Sequence, residues 1–189
     1  MNKPATTSTA LAAVLFVLAA GWARAEVTDS AANGFTVKFA VTIQAAPTDV
    51  YRQLFHVADW WDPQHTFSHD SHNLSMEEKA GGCFCEKLPN QGGVRHMEVV
   101  YFAPGKAVVM TGGLGPLQAI AASGSMSIRL TPADGATRLE VSYTVGGYLP
   151  AGLNTWAAPV DSVLQQQFTR LKNYAEHGDP APKPPGPAL

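Results

Sequence analysis

Cysteine is nearly absent from this chain: two residues among 189, Cys83 and Cys85, separated by one phenylalanine. A scaffold built on several disulfides is excluded, and two thiols alone leave half of a tetrahedral metal shell empty. Charge is sparse too, at 15% of residues with 13 basic against 15 acidic, and no basic stripe exists to engage nucleic acid. Beyond the first 25 residues no apolar run approaches the roughly twenty needed to cross a bilayer. Also missing are a phosphate loop, a dinucleotide fingerprint, a Ser-His-Asp order, a zinc-protease motif and any internal repeat. Gly112-Gly-Leu-Gly-Pro116 is glycine-rich, but without a lysine or a following helix start it reads as a turn.

The amino terminus carries the pattern of an export signal. Lys3 precedes the small, apolar run Leu11-Ala-Ala-Val-Leu-Phe-Val-Leu-Ala-Ala20, and Ala23-Arg24-Ala25 supplies small residues for cleavage. Residues 1–25 are therefore expected to be a signal peptide, and the mature chain to be periplasmic or secreted, with no membrane span after cleavage. No Leu-x-x-Cys lipobox is present. Losing Lys3 and Arg24 leaves 11 basic against 15 acidic residues, a net charge of minus 4. Residues 178–189 hold five prolines, which can sustain neither helix nor ladder, so this tail is expected to be a disordered polyproline-like extension. Residues 26–177 then form one domain of ordinary size.

Within that domain, period two gives way to a helical period. Apolar residues at 35, 37, 39, 41 and 43 predict a strand with one buried face. Pro47 suits a first helical turn, and Val50, Leu54 and Val57 follow at helical spacing, so two short helices end near Trp60 and Trp61. Asp62 to Asn73 is rich in turn formers and reads as a loop. Short strands are expected at 74–77, 82–88, 94–102, 107–111, 125–131 and 137–145, linked as an antiparallel meander, with Gly135 taking the left-handed conformation in the last hairpin. From about Gly152 to His177, Leu153, Trp156, Val160, Leu164, Phe168 and Leu171 mark one long amphipathic helix that Pro159 kinks or begins.

This order resembles the helix-grip fold of the SRPBCC superfamily, which includes START lipid-transfer domains, pollen-allergen-like binders and polyketide cyclases. The resemblance covers about residues 35–177. It rests on Ile43-Gln-Ala-Ala-Pro-Thr-Asp-Val-Tyr51, Trp60-Trp61-Asp62-Pro63, Gly81-Gly-Cys-Phe-Cys-Glu86, Gly113-Leu-Gly-Pro-Leu117 and the closing helix. It implies an α+β architecture: a twisted antiparallel sheet of about seven strands around a long carboxy-terminal helix, with two short helices after the first strand. It also implies a cavity between sheet and helix for a lipid-like or polyketide-like molecule; no cofactor is expected. By resemblance, Trp60, Trp61 and His65 stand at the cavity mouth, and Trp156, Val160, Leu164 and Phe168 along the helix face. An apolar stripe is also what folding alone produces, so core packing competes with ligand contact at these positions.

Three groups of residues could carry chemistry. His65, His69 and His72, with Asp62 and Asp70, would converge on a metal if helical, but their turn-forming neighbours argue against a helix, and no metal is expected. His65 alone could act as an acid or base. On the strands, Glu86, Arg95, His96, Glu98 and Tyr101 are candidates to point into the cavity, and alternation along 94–102 places Arg95, Met97, Val99 and Tyr101 on one face and His96 and Glu98 on the other. The first face is the more core-like, which turns His96 and Glu98 to solvent and leaves Met97 and Tyr101 facing the ligand; the opposite register would bury His96 and Glu98 as an acid and base pair. Tyr143 and Tyr148 could reach a ligand oxygen.

The third group is Cys83 and Cys85. Residues two apart in a regular strand lie about 6.6 Å from each other, whereas a disulfide wants Cβ atoms near 3.8 Å. Two small, free, buried residues are the leading reading, followed by a disulfide that needs a bulge, then a metal or thiol-redox site. For the whole chain the leading expectation is a protein that binds an apolar or amphipathic small molecule or lipid. The alternatives are a cyclase, dehydratase or hydrolase using His65 or His96 with Glu98, and a metal or thiol-redox protein using the cysteines.

Overall fold

The computed structural model of the protein describes residues 24–181. The expected signal segment through residue 23 and the last eight residues of the expected tail lie outside it. One antiparallel sheet contains eight strands: β1 (Arg24–Ala31), β2 (Gly34–Ile43), β3 (Leu74–Met76), β4 (Gly82–Leu88), β5 (Gly92–Ala103), β6 (Ala107–Gly112), β7 (Ala121–Ala133) and β8 (Ala136–Tyr148). Their spatial order is β1-β2-β8-β7-β6-β5-β4-β3. The helices are α1 (Pro47–Phe55), α2 (Val57–Trp60) and α3 (Asn154–His177), with single 3-10 turns at 63–65, 71–73 and 115–119. This is the helix-grip architecture, with one strand more than the pattern predicted.

The extra strand is β1. Its sequence Arg-Ala-Glu-Val-Thr-Asp-Ser-Ala has no sustained alternation, and it pairs only with β2, through a bulge between Val27 and Asp29. An edge strand needs no fully apolar face, which is why periodicity passed it over. The clear period of β2 is realised as expected: Phe35, Val37, Phe39, Val41 and Ile43 are all buried. The last hairpin turns through Asp134 and Gly135 with φ of 44° and 81°, the two positive values that a two-residue primed turn requires.

Helix α3 continues through Pro159 and packs across β1 and β2, closing the core. Phe168 stacks on Phe39 at 5.9 Å and meets Trp60 at 6.1 Å. Trp60, Phe168, Met97, Met110 and Met126 fill the space between sheet and helix. The middle of the grip is filled down to a void of about 10 Å³, and a larger space lies at one end.

Candidate functional site

That space is a pocket of about 290 Å³ bounded by three segments. One wall is the loop from Trp61 to Phe67, the second is the turn from Leu114 to Leu117, and the third is the first half of α3, presenting Trp156, Pro159, Val160, Val163 and Leu164. Among the described residues no lysine, arginine, aspartate or glutamate lines it. Its polar side chains are mostly spoken for: Trp61 Nε1 donates to the His65 carbonyl at 3.1 Å, and Thr66 Oγ1 donates to the Pro63 carbonyl at 2.8 Å. His65 Nδ1 lies 3.1 Å from Gln167 Nε2.

Two of the walls are loops, and each is fixed by buried polar side chains behind it. Gln167, fully buried on α3, accepts from the Asp62 backbone N–H at 2.8 Å while its amide meets His65. Tyr143, fully buried on β8, donates to the Gly112 carbonyl at 3.0 Å and accepts from the Leu114 N–H at 3.1 Å, clamping the turn that starts the second wall. Burial pushes the Tyr143 hydroxyl up to about 12, against the lowering effect of the Leu114 N–H, so the phenol stays protonated and can donate.

The third anchor is Glu86, which alternation along β4 turns inward with Phe84 while Cys83 and Cys85 point to the outer face. Its carboxylate accepts from the Phe67 N–H at 3.1 Å, the Ser68 N–H at 2.5 Å and His96 Nε2 at 3.0 Å. Burial alone would raise this carboxyl, but the hydrogen bonds from Ser68, Phe67 and His96 outweigh it and hold it below its ordinary range. Burial depresses the His96 imidazole more than Glu86 raises it. An anionic Glu86 beside a neutral His96 requires the proton on Nε2, leaving Nδ1 as an acceptor, and the Gln118 amide 3.3 Å from Nδ1 fits that tautomer.

The position of His96 corrects both strand registers considered from sequence. Phe84 pairs with Met97 and Cys85 with Arg95, so His96 is an extra residue in β5. This bulge turns His96 and Met97 inward together, where regular alternation allows only one of them. Glu98 is not its partner: it lies on the outer face, paired with Arg95 at 2.9 Å. A second register shift, between Val99 and Tyr101, turns Val100 and Tyr101 both outward, at 44% and 54% exposure. Tyr101 therefore faces solvent and not the pocket.

Of the residues expected to meet a ligand, Trp61, His65, Trp156, Val160 and Leu164 line the pocket. Trp60, Met97 and Phe168 are packed in the solid core, and Tyr143 is committed to the backbone of the wall. Tyr148, the other tyrosine considered for a ligand oxygen, is 72% exposed. His72 turns to Asp70 at 2.9 Å, and among the described residues no group of three or more potential metal ligands comes together. The cysteines correct the leading reading: they form a disulfide, with Cα atoms 5.3 Å apart, where β4 runs opposite the bulge in β5. Pattern reasoning placed Glu86 among the strand residues that could point inward, but missed Gln167 and Phe67 as site-builders. Gln167 left a signal, a polar residue on the 160, 164, 167, 171 stripe.

No protein-family model matches the sequence, and no curated protein matches it. Solved structures do share its fold. A conserved protein of unknown function, EF2215 from Enterococcus faecalis, is similar at a TM-score of 0.57 and 19% identity, over 82% of this chain and 79% of that one. CalU16 from Micromonospora echinospora is similar at 0.55 and 12%, over 86% and 87%. Ara h 8.0201 is similar at 0.55 and 17%, over 75% and 97%. At these identities the likeness shows the fold alone, a helix-grip architecture.

Proposed function

We propose that this protein binds an apolar or amphipathic small molecule in the end pocket between the 61–67 loop, the 114–117 turn and α3. The observation that carries the reading is the lining: tryptophan, leucine, valine and proline side chains without a full charge, on walls fixed from behind by Gln167, Tyr143 and Glu86. Binding sites of this kind are concave, largely apolar and pre-formed. At about 290 Å³ the pocket sits at the small end of the usual range of roughly 300–1,000 Å³, so it suits a compact ligand. The polar atoms of His65, Thr66 and Trp61 that face it support the walls, which favours holding a molecule over transforming it. The superfamily resemblance agrees, and the amino-terminal pattern supports action in the periplasm or outside the cell.

The test is a fluorescence titration of the mature protein with the neutral apolar dye N-phenyl-1-naphthylamine. Saturable one-to-one enhancement is expected, weakened at least about tenfold in Val160→Arg, which puts a charge where the lining is apolar. Absent or non-saturable enhancement by a folded wild-type protein would sink the proposal.

A further inference from the structure

One buried titratable group stands directly behind the pocket and is no part of its lining: the His96 imidazole, 4% exposed. Phe84 packs against it within the core at 5.1 Å, and two side chains reach it from the pocket-lining segments. The Phe67 ring lies over it, with centroids 6.0 Å apart and planes 25° from parallel, and the same Phe67 forms part of the pocket wall. The Gln118 amide reaches Nδ1 at a long 3.3 Å, from a position just after the lining residues Pro116 and Leu117. Both covers are exposed, Phe67 at 50%. The Phe67 backbone, by contrast, is held on Glu86, so its ring can leave His96 by a side-chain rotation while the loop backbone stays in place.

We infer that Phe67 is a gate to a polar subsite at His96, and that the ligand is a neutral apolar molecule carrying a hydroxyl that donates to His96 Nδ1. This rests on the pocket being a binding site. The chemistry of the subsite follows from its bonds. Glu86 accepts from Nε2, so the nitrogen a ligand can engage is Nδ1, an acceptor that the ligand hydroxyl takes over from the Gln118 amide at 3.3 Å. An acceptor selects an O–H donor and gains nothing from an ether oxygen. A carboxylate is disfavoured twice over, by the anionic Glu86 across the ring and by the absence of lysine and arginine from the lining. A phenol or alcohol on a compact apolar body fits all three conditions.

The test compares 4-butylphenol, its methyl ether and octanoate by isothermal titration against the mature protein, with diethyl pyrocarbonate modification of His96 followed by peptide mass spectrometry. The phenol is expected to bind roughly tenfold more tightly than the ether, the factor one buried hydrogen bond supplies, and octanoate more weakly than either. His96 should react slowly in the wild type and several times faster in Phe67→Ala, and the phenol alone should protect it there. Equal binding of phenol and ether, or tightest binding of octanoate, overturns the hydroxyl subsite while leaving the pocket reading intact. An unchanged His96 reaction rate in Phe67→Ala overturns the gate. Binding of none of the three by folded protein overturns the pocket reading and the subsite together.

Discussion

Replacing Glu86 by leucine should be among the most damaging single changes available in this domain. The carboxylate is 1% exposed and accepts from three donors, the Phe67 and Ser68 N–H groups and His96 Nε2. A buried donor stripped of its acceptor costs about 1–3 kcal/mol. The Phe67 and Ser68 N–H groups are only part-buried and can turn to water; the imidazole, at 4% exposure, cannot. The cost should therefore fall at about 3–5 kcal/mol, the range for breaking one side of a buried pair. At roughly 2–4 °C per kcal/mol for a domain of this size, the melting temperature should drop by about 6–20 °C. Glu86→Gln keeps one acceptor oxygen and should cost about half as much. Urea unfolding followed by circular dichroism measures both, at constant m-value. Adding His96→Leu to Glu86→Leu should cost less than the sum of the two single changes, because the orphaned imidazole is gone. A loss below about 1 kcal/mol for Glu86→Leu, or strict additivity, would refute the anchor.

Three further outcomes follow from the same contacts. Tyr143→Phe strips partners from the Gly112 carbonyl and the Leu114 N–H, so it should cost about 1–3 kcal/mol in urea unfolding and also weaken dye binding by loosening the second wall. Acidification should destabilise in two steps: His96, depressed in the fold, gives up stability as pH falls below its ordinary 6.5, and Glu86, also depressed, as pH falls below its ordinary 4.5. Stability measured from pH 7.5 to 3.5 should fall monotonically, with a shallower fall below pH 5 in Glu86→Gln than in the wild type. Cys83 and Cys85 are two positions apart and close a very short loop, for which chain entropy supplies only about 1.6 kcal/mol, so replacing both by alanine should leave a folded protein weakened by roughly that amount in urea.

The legible parts of this fold are those where one residue period runs undisturbed. Strand β2 and helix α3 each bury one continuous face, and the Asp134-Gly135 turn follows from glycine's tolerance of positive φ. The pocket residues Trp61, His65, Trp156, Val160 and Leu164 stood out because the family resemblance marks those segments. What was not legible turns on single-residue register. The bulge at His96 has no glycine or proline to announce it, yet it decides that Glu86 and not Glu98 is the partner and that Tyr101 faces water. The same bulge lies across from the cysteines, whose pairing a regular strand would disfavour. Tyr143 sits on an expected strand as a residue that could reach a ligand oxygen, but its hydroxyl is satisfied by the backbone of the turn after β6, a pairing that strand periodicity does not encode.

Whether the end pocket holds a compact apolar molecule can be read by native mass spectrometry of protein comprising residues 26–189, purified without detergent and then exposed to excess 4-butylphenol. A one-to-one complex is expected in the wild type, formed either by the added phenol or by an apolar molecule retained from the host, and it should be lost in Val160→Arg. A bare polypeptide mass in both proteins, with both folded, would contradict it.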